Sequence, residues 1–326
     1  MAVGTAYRPK TNGSTREAPP PGQFVDVGGH RLHVTCGGSG IPPVLLESGI
    51  AASSLSWARV LPEIAAFTRV CAYDRAGLAW SDAASCTRTF DRICDDLGAV
   101  LAHTVGRRRV VLVGHSFGSL IVRGYAARNA EHVAGLVLVD PPTEWLDAGP
   151  ERARMLRGAR QLSNIGAFLA RIGVVRAGLG LLTGGKPGAA RGFVRVFGPT
   201  ATRTLERLVG EVRKLPPELY PIVQALWCQP KCFRAMAEYL LVLQQEAATI
   251  AAAMPPPEIP VFVISGGHQT EQEITAHRRL ANASPHGRHL TAMHSGHWVP
   301  FDQPEVIAGA VRILIESARS GDGVLR

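Results

Sequence analysis

The chain has 326 residues, 46% apolar by type and 19% charged, with 35 Lys plus Arg against 26 Asp plus Glu for a net charge of +9. That composition excludes a mostly disordered chain, and the length suits two domains or one large domain with an insertion. The basic excess points towards an anionic partner, nucleic acid included, until the charges are placed.

Residues 1–22 are polar and rich in Pro and Gly and lack the apolar core of a secretory signal, so a disordered tail is expected. Phe24–Val27 and Arg31–Thr35 flank Gly28-Gly29, a hairpin signal. Short apolar runs then end on turn residues: Val44–Leu46 at Glu47-Ser48-Gly49, Arg69–Tyr73 at Asp74-Arg75-Ala76-Gly77, Val110–Val113 at Gly114, and Leu136–Val139 at Asp140-Pro141-Pro142. Such runs, interleaved with helical stretches, predict a parallel sheet buried on both faces. From 141 to 254 the pattern turns helical, notably over Thr202–Leu215 and Lys231–Met254, and Pro255-Pro256-Pro257 ends it. Strand Val261–Ile264, a helix near Glu271–Ala281, strand His289–Ala292 and a helix at about 303–318 follow, the last with Asp302 as N-cap and Glu305 at N3. The expected layout is a core of 23–140 and 255–320 with a helical insertion at 141–254.

The six cysteines (Cys36, Cys71, Cys86, Cys94, Cys228 and Cys232) show no metal-site spacing. They read as free thiols in a reducing, cytoplasmic compartment, with Cys71 a small buried hydrophobe. No run of about 18 uncharged apolar residues exists to span a membrane.

The sharpest local signal is Gly114-His115-Ser116-Phe117-Gly118, after an apolar strand and before a helix. A tight strand-to-helix turn needs small flanking residues, and it lifts the Ser116 hydroxyl above the sheet at the positive end of the helix. With Leu46–Gly49 and Tyr73–Gly77, this motif resembles the α/β-hydrolase fold family, over roughly 23–320, and most of all its capped, esterase-like members. The resemblance implies a mostly parallel eight-stranded sheet with flanking helices and a helical cap inserted after strand six.

A serine nucleophile needs a base. His297 follows the last strand in Ser295-Gly296-His297, and in the resembling family a Ser-Gly-His there carries the base; His294 ranks behind it. His115 should point away from the chemistry, while His30, His33, His132, His277, His286 and His289 read as hairpin or solvated histidines. The base needs a carboxylate. Most family members place an Asp after strand seven, where this chain has Gly266 to Glu273 with no Asp. Asp140, after strand six, is the expected acid, and Glu271, Glu273 and Glu144 are the alternatives. The oxyanion donors are expected from the amides of Phe117 and, by resemblance, Ile50, with Gly49 behind it. Arg75 reads as an arginine that ties loops together near the site.

Residues 141–254 hold 15 Lys plus Arg against 8 Asp plus Glu, so the insertion carries +7 of the +9. No aromatic residues interleave with these arginines and no nucleic-acid motif occurs, so solvated helix faces are the simpler reading and a positive funnel for anionic substrates the sharper one. The expected function is serine-dependent hydrolysis of a carboxylic ester with an apolar moiety, needing no metal or organic cofactor. Lactone, amide, C–C or perhydrolytic chemistry could use the same residues, and a ligand-binding sensor on this scaffold is the alternative outside catalysis.

Overall fold

The computed structural model describes residues 20–142, 149–177 and 214–320. Most of the tail, Glu144 and the insertion residues 178–213 therefore lie outside the described residues. Eight strands form one sheet: β1 (Gln23–Asp26), β2 (Arg31–Gly37), β3 (Val44–Glu47), β4 (Val70–Tyr73), β5 (Val110–His115), β6 (Val133–Val139), β7 (Val261–Gly266) and β8 (Arg288–Ala292). Their order is β1-β2-β4-β3-β5-β6-β7-β8. Only β2 runs antiparallel to its neighbours, and the other pairs are parallel.

The central strands are buried throughout because both faces are covered. Side chains alternate between faces, so β5 sends Val110 and Leu112 to the layer containing α2 (Phe90–Thr104) and α3 (Phe117–Arg128). Val111 and Val113 enter the opposite layer with α1 (Val60–Ala65) and α10 (Pro304–Ser320). Between β6 and β7 the described residues include four helices: α4 (Pro150–Arg171), α5 (Tyr220–Trp227), α6 (Pro230–Gln245) and α7 (Ala247–Ala252). Further along are α8 (Glu271–Ala281) between β7 and β8 and the short α9 (Val299–Asp302) before α10.

Two expectations are corrected. Cys36 and Cys71 form a disulfide, because the antiparallel β2–β4 register sets them directly opposite with Cα atoms 4.1 Å apart. The thiol argument for a reducing compartment fails for this pair, while Cys86, Cys94, Cys228 and Cys232 are free. Asp302 does not cap the last helix. It closes α9 and accepts hydrogen bonds from Lys214 and Ser295, and α10 begins at Pro304. The capping box sits instead on α8, between Thr270 and Glu273. No described helix is long and apolar enough to cross a membrane.

Candidate active site

Ser116 occupies the turn between β5 and α3 with φ 51° and ψ −121°, a left-handed backbone for a non-glycine residue. Its N–H donates to the Val139 carbonyl at 2.8 Å, which ties the turn to the end of β6. Neither flank tolerates a side chain. A Cβ on Gly114 would lie 2.6 Å from Gly118 O and Ser119 N, and one on Gly118 would strike the Glu47 carbonyl.

Asp140 follows β6, and its N–H donates to Ile264 O on β7 at 2.7 Å. Its carboxylate is buried, and Oδ2 receives a hydrogen bond from His297 Nδ1 at 2.6 Å. The Gly266 amide donates to Oδ1 at 3.2 Å, and the Gln269 side chain donates to Oδ2. Burial raises the Asp140 pKa, but the His297 hydrogen bond and charge and the Gly266 amide outweigh it and hold the carboxyl below its ordinary value. A carboxylate on Nδ1 fixes the tautomer that leaves Nε2 as the acceptor. Among the described residues no hydrogen bond joins the Ser116 hydroxyl to His297, a link often long before substrate binds.

The other acids are placed elsewhere. Glu271 is exposed in the first turn of α8. Glu273 is spent in the capping box, where Oε2 accepts from the Thr270 N–H at 2.7 Å. Glu144 lies outside the described residues.

The segment after β3 is held by Arg75, which is buried. Its Nη1 donates to Glu47 Oε1 and to the Ser48 carbonyl, and its Nη2 donates to the Gly49 and Ile50 carbonyls. A trans peptide points its C=O and N–H in opposite directions. Turning the Gly49 carbonyl towards Arg75 therefore turns the Ile50 N–H away from it. A Cβ on Gly49 would lie 3.7 Å from Ser116 Cβ, so this loop borders the nucleophile. The Arg75 guanidinium also lies 5.3 Å from the Phe117 ring centroid. Neither the Phe117 nor the Ile50 N–H has a hydrogen-bond partner among the described residues. One arginine thus touches both expected oxyanion residues, as the loop-tying reading of Arg75 requires. Burial works against its charge, but Glu47 beside it outweighs burial and the Arg75 pKa is raised. Arg75→Met is expected to cost about 3–5 kcal/mol because it strands the buried Glu47, with part recovered in Arg75→Met/Glu47→Gln; urea melts of both variants check this.

Residues 42–162 match the family model described as the alpha/beta hydrolase fold. This chain has the α/β-hydrolase fold. Over 141 residues it is 32% identical to a haloalkane dehalogenase of Sphingobium indicum, covering 41% of this chain and 47% of that protein. Over 166 residues it is 30% identical to a 2-hydroxymuconate semialdehyde hydrolase of Pseudomonas sp., covering 47% of this chain and 57% of that protein. The matches thus span about half the length of these relatives. Among solved structures, a thermophilic esterase from Thermogutta terrifontis superposes with a TM-score of 0.61 at 19% identity, over 89% of this chain and 94% of that one. An enol-lactonase from Burkholderia xenovorans gives 0.60 at 18% identity, over 90% and 100%.

Several residues of this α/β-hydrolase fold carry more than their sequence reading. His33 is fully buried, with Nδ1 3.0 Å from Asp74 Oδ2, and Asp74 Oδ1 accepts from the Ser54 N–H at 2.7 Å. His277, expected in solvent, is buried behind Asp140. Its Nε2–H donates to the Pro141 carbonyl at 2.8 Å, so Nδ1 accepts from the Ser265 hydroxyl at 2.7 Å, and His289 Nε2–H donates to Ser265 Oγ at 2.8 Å. His115, expected to face away, donates from Nε2 to the His297 carbonyl at 2.8 Å. Strand alternation was the missed signal, since Val111, Val113 and His115 share one face.

Burial, above all, and the neighbouring His297 push the His115 pKa down to about 3 from 6.5. The unfolded chain therefore binds more protons between these values, and stability falls as pH is lowered through that window. Thermal melts should show Tm falling more steeply from pH 7 to pH 4 in the native protein than in His115→Gln; parallel curves would contradict this.

Proposed function

We propose that this protein is a serine hydrolase that cleaves carboxylic esters through an acyl-enzyme. The observation that carries the reading is the 2.6 Å hydrogen bond from His297 Nδ1 to the buried Asp140, at the sheet edge where Ser116 stands in its turn. Ser116 Oγ attacks the ester carbonyl while His297 Nε2 takes its proton. The Phe117 and Ile50 amides receive the developing oxyanion. His297 then returns the proton to the leaving alcohol, and water releases the acid by the same steps in reverse roles. Asp140 stays ionised and stabilises the imidazolium. The helical region after β6 serves as a cap over this edge. A cavity of about 30 Å³, too small for an acyl chain, is lined by Ala52, Leu55, Leu215, Val223, Trp227 and Trp298 among others. It does not include Ser116 or His297.

Dehalogenase and epoxide-opening chemistry, suggested by some relatives' names, fits poorly. Displacement at an alkyl carbon by a serine oxygen leaves an ether, which water and an imidazole do not cleave, whereas a carboxylate nucleophile leaves a hydrolysable ester. Ser116 stands where that carboxylate is required. The deciding experiment is a substrate panel of p-nitrophenyl esters of increasing acyl length, lactones, a 1-haloalkane and a terminal epoxide. Turnover confined to acyl substrates is expected, and halide or diol release without ester turnover would overturn the reading.

A further inference from the structure

His115 is buried to zero exposure at the end of β5, one residue before Ser116. Its ring centroid is 4.9 Å from that of His297 and 5.1 Å from that of Trp298, and its Nε2–H donates to the His297 backbone carbonyl. A carbonyl only accepts, so this bond assigns the proton to Nε2 and leaves Nδ1 as a lone-pair nitrogen. Nδ1 has no partner and lies against the segment after β3: a Cβ on Gly49 would sit 3.3 Å from it. The Trp57 ring stands nearly perpendicular to it at 6.4 Å between centroids. One ring thus touches three pieces that must be in register, namely the strand end that carries Ser116, the loop that carries His297, and the turn that precedes the Ile50 amide. No other hydrogen bond among the described residues holds the His297 carbonyl.

We propose that His115 is a positioning residue for the hydrolysis reaction, its Nε2–H fixing the backbone of the base while its ring body spaces the base and the oxyanion turn about Ser116. The inference rests on the serine-hydrolase reading above. A buried ring that merely fills space would need only its volume. A ring that positions needs a donor at Nε2. Two amides separate these roles, because a Gln amide nitrogen reaches the place of Nε2 whereas an Asn amide nitrogen reaches only that of Nδ1. Leu keeps volume without any donor. Misplacing a reacting group by about 1 Å costs up to about 10²-fold in rate.

The test compares His115→Gln, His115→Asn and His115→Leu for kcat and KM on a p-nitrophenyl ester, and for the rate at which a fluorophosphonate labels Ser116, with Tm measured for each. Expected are a loss of about 10- to 100-fold in kcat and labelling rate for Asn and Leu, a KM nearly unchanged, and recovery of most of the loss in Gln. Equal activity in Gln and Asn, or a Leu variant with native kcat, overturns the proposal. Should Leu fail to fold, the comparison of Gln with Asn decides alone. A native protein that takes no label at Ser116 removes the serine-hydrolase reading and this inference with it, whereas native labelling with indifferent His115 variants removes only the inference.

Discussion

Ser116→Ala is expected to lower kcat for esters by about 10⁶-fold, to the level left by binding and the oxyanion donors alone. In the proposed mechanism the Ser116 hydroxyl oxygen forms the acyl bond, and the nearby Ser119 hydroxyl is buried and donates to the Ser116 carbonyl. His115 is kept neutral by burial and turned towards the His297 backbone, and Phe117 points into the core. Groups that act as one unit are not additive, so Ser116→Ala/His297→Ala should be no slower than the single variant. The fold should be unaffected, because Ala keeps the same backbone and the hydroxyl makes no hydrogen bond among the described residues. Steady-state kinetics with thermal melts check both statements. Substantial turnover in a folded Ser116→Ala would show that the nucleophile lies elsewhere.

Asp140→Asn is expected to lower kcat by about 10³- to 10⁴-fold with little change in KM. The His297 Nδ1, the Gly266 amide and the Gln269 amide all donate to this carboxylate. An amide in its place offers fewer acceptor sites to the same donors. If its NH₂ turns to Nδ1, the imidazole proton moves to Nε2 and blocks abstraction from Ser116. Glu271→Gln should leave kcat unchanged. Glu273→Gln should cost a few tenths of a kcal/mol at most, through a weakened capping box. A larger kcat loss in Glu271→Gln than in Asp140→Asn would move the acid off β6.

The sheet was legible because burial on both faces makes its strands short apolar runs, and their turn-rich ends mark where side chains gather. Ser116, Asp140 and His297 all sit at such ends, after β5, β6 and β8, so they could be named from the chain order of runs and turns. What sequence order hides is lateral pairing. Cys36 and Cys71 are 35 residues apart and become opposite neighbours only through the β2–β4 register. His277 looks like a polar residue of a surface helix, and its burial depends on the packing of α8 over the end of β7. Gln269 is uncharged and so carried no acid signal, yet it reaches the same Asp140 oxygen as His297. Asp302 followed by Glu305 has the spacing of a capping box, but Pro304 starts the helix after a separate short turn, and Asp302 is drawn to Lys214 and Ser295 instead. Six of the insertion's 15 basic residues fall within 178–213, outside the described residues.

The most direct measurement is peptide mapping by mass spectrometry after reaction with a fluorophosphonate. The expected result is one adduct per chain, on the peptide containing Ser116, formed slowly or not at all in His297→Ala. Absence of the adduct, or an adduct on another serine with Ser116 unmodified, would contradict the assignment of Ser116 as the nucleophile.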